Sequence, residues 1–175
     1  MRESIGMAWL MIIVMTFITL FSGYLAFSIN YSKSFRVKDG IIERIHKYNG
    51  FVSEGSKNTL QEIDDFLNEI NYNARGNCYS LCKDTGNSYV GVRGTTVHDR
   101  DDATRGNGYN YCIVKISSKA LGEPSTTADY SAVYYKVIVF FSLQIGNISL
   151  FDKFNTTGET QSMHFVEDSI LFGES

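Results

Sequence analysis

The stretch that decides the fold is IGMAWLMIIVMTFITLFSGYLAFSI, which extends from residue 5 to residue 29. No charged side chain lies between Glu3 and Lys33. A helix of about 20 apolar residues, with a rise of about 1.5 Å per residue, is long enough to cross the roughly 30 Å of hydrocarbon in a bilayer. The sequence therefore predicts that residues 1–30 form a transmembrane anchor in contact with the lipid bilayer.

A cleaved signal peptide is the alternative interpretation of this stretch. The apolar region of such a peptide is about 7–15 residues long and ends at a small-residue cleavage site. Ser28 lies in such a context, but the apolar stretch is too long and Arg2 is the only basic side chain before it. An uncleaved anchor is favoured, and cleavage after Gly6 or near Ser28 stays open.

Small residues recur at three- and four-residue spacing inside the predicted span, so they share one face of a helix. Such a face allows a second helix to approach closely, and its hydroxyls can bond across the contact. The alternative is that these hydroxyls bond their own backbone. The predicted helix-packing face consists of Thr16, Thr19, Ser22, Gly23 and Ala26.

Beyond the span, apolar residues continue at near-helical spacing to about Tyr48, and Asn49-Gly50 then provides a C-cap signal. Gly40 is expected to weaken this helix or to mark a bend. A second, shorter helix begins near Ser56 or Asn58, which are both suitable N-caps. Segments rich in Tyr, Val, Ile and Phe follow and predict strands: residues 78–82, 89–92, 109–117, 132–145, 148–154 and 161–166.

The predicted fold class is therefore α+β. A long N-terminal helix, first transmembrane and then amphipathic, packs on a mainly antiparallel β-sheet, and a second short helix lies between them in sequence. Gly146-Asn147 is a two-residue hairpin signal between two apolar strands. Residues 31–175 are expected to form one extracytoplasmic head domain.

The three cysteines are the most informative polar residues of the predicted head. If residues 77–82 form a strand, Cys78 and Cys82 share a face, and either could meet Cys112 across the sheet. Cys82 is followed by a turn signal, so the preferred disulfide joins Cys78 to Cys112. A zinc site that adds His98 lacks the usual ligand spacing, and a catalytic thiol lacks a placed base; no metal site is predicted.

A loop dense in carboxylates, at Asp99, Asp101 and Asp102, is a candidate ion-binding site because Ca²⁺ prefers oxygen ligands from flexible loops. Arg100 and Arg105 oppose cation binding there, so a solvated loop is favoured. The chain has 16 basic and 19 acidic residues, and this balance argues against a nucleic-acid partner. Without a phosphate loop or nucleophile motif, the prediction is a non-enzymatic protein that needs no cofactor.

The orientation of the anchor is indicated by two opposing signals. Lys33, Arg36 and Lys38 follow the span and only Arg2 precedes it, which favours a cytoplasmic head. The cysteines and the β-rich body favour an extracytoplasmic head. We expect the protein in the cell membrane, with a cytoplasmic N-terminus and the head outside.

The short polar leader Met1–Gly6, the apolar helix that continues as an amphipathic one, and the sheet with a disulfide resemble type IV pilin-like proteins. The resemblance is greatest to minor pilin-like components of the tight-adherence type in Gram-positive bacteria. It implies that the apolar half-helix lies in the membrane before assembly and packs helix to helix in a filament afterwards. The sequence departs from the pilin pattern at Met11, where pilins carry a glutamate five residues after the leader.

Two functions follow as expectations. The first is a structural subunit associated with a pilus or with secretion, whose partners are other single-span membrane proteins or further copies of the chain. The second is a membrane-tethered ligand-binding or sensor domain that acts through the loops of the head.

Overall fold

The computed structural model describes residues 2–52, 58–82, 87–98, 108–117, 132–145 and 148–163. Within them the chain forms the helices α1 (Arg2–Lys47), α2 (Thr59–Glu69) and α3 (Cys78–Cys82). It also forms the strands β1 (Ser88–Arg93), β2 (Thr96–His98), β3 (Tyr111–Ser117), β4 (Val133–Ile145) and β5 (Ile148–Glu159). The strands pair antiparallel in one sheet of order β2-β1-β3-β4-β5. The predicted α+β class, with a long N-terminal helix and a short second helix, is confirmed.

Helix α1 is continuous over 46 residues, which corresponds to about 69 Å at 1.5 Å per residue. It ends at the predicted cap. Asn49 adopts a left-handed φ of 56°, and the Gly50 N–H donates to the carbonyl of Ile45 at 3.1 Å, as expected for a left-handed C-terminal cap. The predicted boundary between residues 30 and 31 falls inside this helix.

The main core lies between the second half of α1 and one face of the sheet. Val37, Ile41 and Ile45 are fully buried there against alternate residues of the central strands, such as Ile113 and Val137. Helix α2 closes the side of this core with its apolar stripe, in which Leu60, Ile63 and Leu67 are buried. The amphipathic half of α1 is therefore the helix on which the sheet packs.

The opposite face of the sheet has a core of its own. Successive side chains of a strand point to opposite faces, so Cys112 and Val114 lie away from α1 while Ile113 faces it. Helix α3 covers this second face through Cys78 and Cys82. Both faces of the central strands are thus buried.

The strand predicted over residues 78–82 is wrong, because these residues form α3. The physical reason is local: the Asn77 side-chain oxygen accepts the Ser80 N–H at 3.2 Å and caps a single helical turn. Periodicity cannot distinguish a helix from a strand over so short an apolar segment.

Other element boundaries differ from the predictions in smaller ways. β5 extends to Glu159 instead of Phe154, and Met163 makes only an isolated bridge with Val133 in the segment predicted as a last strand. Residues 164–166 of that segment, the Gly146-Asn147 turn and the Ser56 cap lie outside the described residues. Asn58 is the observed cap of α2, where its side chain accepts the Gln61 N–H at 3.0 Å.

Candidate functional site

The N-terminal half of α1 carries most of the large hydrophobic side chains that are exposed in the described part of the chain. The helical segment Gly6–Lys47 is long and apolar enough to cross a membrane. An 18-residue window of this segment has a mean hydropathy of 2.2, and none of that window is buried. Large side chains such as Trp9 and Leu20 are 66% and 69% exposed. Contiguous apolar surfaces of this kind mark membrane or protein contacts. The chain therefore has one candidate membrane-spanning helix among its described residues, near its N-terminus.

The small-residue face on this helix has its hydroxyls already bonded. Those of Thr16, Thr19 and Ser22 each donate to the carbonyl four residues earlier at 2.8 Å. This is the backbone bonding that Ser and Thr commonly make in helices, so the hydroxyls need no acceptor on a second helix. What the face offers a neighbour is close approach of the backbone.

The structure divides this face into two parts. Thr16, Thr19 and Ser22 are exposed, whereas Gly23 and Ala26 are half-buried. At about 100° per residue, Gly23 and Ala26 lie on the same side of α1 as Val37, Ile41 and Ile45, which are buried in the head. The exposed upper part is therefore the part that remains available to a second helix.

An aromatic junction connects the exposed half of α1 to the head. It consists of Phe27 and Tyr31 on α1, Phe141 on β4 and Phe154 on β5. The ring centroids are 5.8 Å apart for Phe27 and Phe154, 5.9 Å for Tyr31 and Phe141, and 5.2 Å for Phe141 and Phe154. Sequence reasoning missed this cluster; the available signal was two aromatic residues one helical turn apart at the end of the span.

Basic side chains follow the aromatic junction along α1, toward the half of the helix that is buried in the head. The Lys33 ammonium donates to the Asn71 carbonyl at 2.9 Å, which ties α1 to the segment that follows α2. Lys33 and Arg36 line an open cleft of about 640 Å³, together with Ser28, Ile29, Ser32 and Ile70. The cleft joins apolar and cationic groups at the level where the uncharged part of α1 ends.

Glu62 fastens the end of α1 to α2. Its carboxylate accepts hydrogen bonds from Lys47 at 2.8 Å and from the Tyr48 hydroxyl, while the Arg44 Nε donates to the Glu62 carbonyl at 3.1 Å. These hydrogen bonds, from Lys47 first and from Tyr48 second, lower the pKa of Glu62. The network connects the last turn of α1 to α2.

The disulfide joins Cys78 of α3 to Cys112 of β3, with a Cα–Cα distance of 5.7 Å. This is the pair that the sequence analysis preferred. Cys82 is a buried thiol on the next turn of α3, and burial raises its pKa to about 11. Because the thiolate is the reactive form of cysteine, Cys82 is poorly placed for nucleophilic chemistry.

The predicted polar sites are only partly represented in the structure. Two of the sulfurs in the alternative zinc set are joined in the disulfide. Within the described ranges no group of three or more His, Cys, Asp or Glu side chains could hold a metal ion. The candidate ion-binding residues Asp99, Asp101 and Asp102 lie outside the described residues.

The described features follow one another along α1: an exposed apolar half, the aromatic junction, and a half that is buried in the head. No protein-family model matches the chain, and no match was found among curated proteins or solved structures. What can be inferred about function therefore comes from the residues and the geometry described above.

Proposed function

We propose that this chain is a non-enzymatic single-pass membrane protein, a pilin-like or secretion-associated structural subunit that acts through helix packing and an exposed head. The observation that carries the proposal is the continuity of α1, whose first half is uncovered and whose second half is built into the core. A helix shared in this way fixes the head rigidly relative to whatever packs on the exposed half. Such coupling suits a subunit whose position in an assembly is set by its membrane helix.

The proposed topology has a cytoplasmic N-terminus and an extracytoplasmic head. The Cys78–Cys112 disulfide supports this arrangement, because disulfides persist in oxidising compartments and are rare in the cytosol. Lys33, Arg36 and Lys38 oppose it by the positive-inside rule. The disulfide carries more weight here, since Lys33 is engaged by the Asn71 carbonyl and so has a structural role in the head.

The helix-packing part is tested by replacing Thr16, Thr19 and Ser22 together with leucine. These three are the exposed members of the small-residue face, and leucine keeps the helix apolar while it blocks close approach. The matched control replaces Phe17, Phe21 and Tyr24, on the opposite side of the helix, with leucine. Co-purification with other single-span proteins or with a tagged second copy is expected to fall for the first variant only; equal association of both variants would contradict the proposal.

The topology is tested by counting thiols in cells that are rapidly quenched with acid. After denaturation without reductant, a maleimide-polymer gel shift is expected to report one reactive thiol, that of Cys82. After reduction it should report three. Three thiols before reduction would indicate a reducing compartment and a cytoplasmic head.

A further inference from the structure

We propose that the paired strand end of the head enters the membrane interface beside α1 and contacts lipid. The paired strand end is defined as residues 142–145 of β4 and 148–151 of β5, which face each other up to the pair Ile145 and Ile148. The inference rests on the membrane assignment of α1 under the proposed function. It adds a second lipid contact, made by the sheet.

Contacts at three levels show that β5 lies alongside α1 and has the same direction. At the far end of the head, the Gln161 N–H donates to His46 at 3.2 Å. In the middle, a Cβ on Gly158 would lie only 2.5 Å from Lys38 Cδ. At the upper end, Phe154 meets Phe27 with ring centroids 5.8 Å apart. The start of β5 and the end of β4 therefore point toward the N-terminal half of α1.

The level of the strands relative to the bilayer follows from the charges on α1. Phe27 precedes Lys33, the first charged residue after the span, by six positions, or about 9 Å along a helix. Phe141 and Phe154 pack on Phe27, so this end of the sheet already lies on the uncharged side of Lys33. Tyr24 and Tyr31 lie on the neighbouring turns of α1, and tyrosine is enriched at the membrane–water interface.

β4 continues four residues beyond Phe141, to Ile145. At 3.3 Å per residue, these four residues extend at most about 13 Å. That distance is equivalent to at most about nine residues of helix, so the end of β4 lies between the levels of Phe27 and Ile18, on the shallow side of Ile18. Register shifts between Phe141 and Gln144 bend the strands in this region. The paired strand end thus extends toward the part of α1 that has the length and composition of a membrane span.

The sequence of the paired strand end suits a lipid environment. Residues 142–145 read SLQI and residues 148–151 read ISLF, and neither segment contains a charge. The first charges that follow are Asp152 and Lys153, adjacent and of opposite sign, directly before Phe154. Their position coincides with the level of the aromatic junction, where polar headgroups surround the helix. A bilayer is therefore the occupant that the composition and the level of this strand end both favour.

The test measures depth in vesicles of phosphatidylcholine and phosphatidylglycerol that contain the full-length chain. A nitrobenzoxadiazole dye is attached at Ile145→Cys, and quenching is recorded with doxyl lipids whose spin label lies near the headgroup or near the chain end. Thr157→Cys, at an exposed position lower on β5, is the matched water-side control, and Ile18→Cys reports whether α1 is in the membrane. The unsubstituted chain, with its buried Cys82, is the labelling blank.

We expect quenching at Ile145→Cys mainly by the shallow doxyl lipid, deeper quenching at Ile18→Cys, and none at Thr157→Cys. If Ile18→Cys is quenched while Ile145→Cys behaves like Thr157→Cys, the inference is wrong and the membrane assignment stands. If Ile18→Cys is not quenched, both are wrong. A dye at position 145 that is shielded from water but not quenched by lipid would mean that protein covers this strand end, which also overturns the inference. Ile148→Cys, on the paired strand, repeats the measurement where Ile145→Cys disturbs folding.

Discussion

Two tyrosine hydroxyls in the main core are buried without a hydrogen-bond partner among the described residues, those of Tyr72 and Tyr111. Burial raises the pKa of Tyr111 well above its ordinary value of 10.0, and nearby Asp64 contributes in the same direction. Tyr111 is therefore neutral throughout the physiological range. A buried polar group that forms no bond costs about 1–3 kcal/mol, so Tyr111 is a site where the head gives up stability.

Replacing Tyr111 with phenylalanine is expected to raise the free energy of unfolding by about 1 kcal/mol, because the ring stays and the unbonded hydroxyl is removed. The measurement is chemical unfolding of the full chain in detergent. The control is Thr160→Val, which removes a buried hydroxyl that accepts the Tyr135 N–H at 2.9 Å. That control should lose about 1–3 kcal/mol. A loss for both variants would show that the Tyr111 hydroxyl is bonded.

Gly40 has a packing role that its sequence context did not reveal. A Cβ at this position would lie 2.4 Å from a ring carbon of Phe66 on α2. The Arg44 guanidinium lies over the same ring, with its Cζ 4.0 Å from the ring centroid. Glycine is therefore required for the close approach of α2, while α1 continues through the position that was expected to weaken or bend it.

We expect Gly40→Ala to lower the free energy of unfolding by about 1–3 kcal/mol, although alanine is favoured in a helix by about 1 kcal/mol. In a Phe66→Ala background the same substitution should be neutral or stabilising, because the ring that it meets is gone. The check is a double-mutant cycle measured by thermal unfolding. Equal effects of Gly40→Ala in the two backgrounds would rule out the contact with Phe66 as the cause.

At the scale of elements, the long periodic segments were predictable and the short ones were not. α1 is found in the sequence because its first half is continuously apolar and its second half keeps helical spacing down to a recognisable cap. α3 and β2 are too short for periodicity to act as evidence, since five and three residues cannot show a repeat. The aromatic junction was missed for another reason: it joins residues more than 100 positions apart, and only the register of the sheet brings them together.

The contact between α1 and α2 is expected to weaken in acid. The pKa of Glu62 is lowered in the folded state from its ordinary value of 4.5. The stabilisation is therefore present above pH 4.5 and is lost as the pH falls through the lowered pKa. Glu62→Gln should be less stable than the wild type at neutral pH and should show a flatter loss of stability below pH 4.5.

The measurement is the unfolding midpoint as a function of pH, with Glu69→Gln as the control. Glu69 is an exposed carboxylate at the end of the same helix, and no ion pair joins it to the described residues. Its removal should leave the acid limb unchanged. If both variants flatten the acid limb equally, the helix as a whole and not the Glu62 network would account for it.

At the scale of the whole molecule, the disulfide is a covalent crosslink within the second face of the head. It closes a loop with a sequence separation of 34 and attaches α3 to the sheet face opposite α1. Cys82 belongs to the same buried cluster but takes no part in the disulfide. Reduction is therefore expected to loosen the second face while the core around α1 keeps its contacts.

Reduction, or replacement of both Cys78 and Cys112 with alanine, should lower the free energy of unfolding by about 2–4 kcal/mol through the freed loop entropy. The measurement is thermal unfolding of the full chain with and without reductant. Cys82→Ala should stay sensitive to reductant, and the double variant should become insensitive. A reductant-sensitive double variant would contradict the pairing.

Because α1 is continuous, a tilt of its exposed half moves its buried half and the head with it. About 27 Å of helix separates Ile29 from Lys47. If α1 spans a membrane as proposed, a tilt of about 20°, the average for transmembrane helices, displaces the far end of the head sideways by about 9 Å. A second lipid contact, made by the paired strand end, would restrict the tilt of α1 in the membrane. With two contacts in the membrane, a change in bilayer thickness would change the angle between the head and the membrane plane.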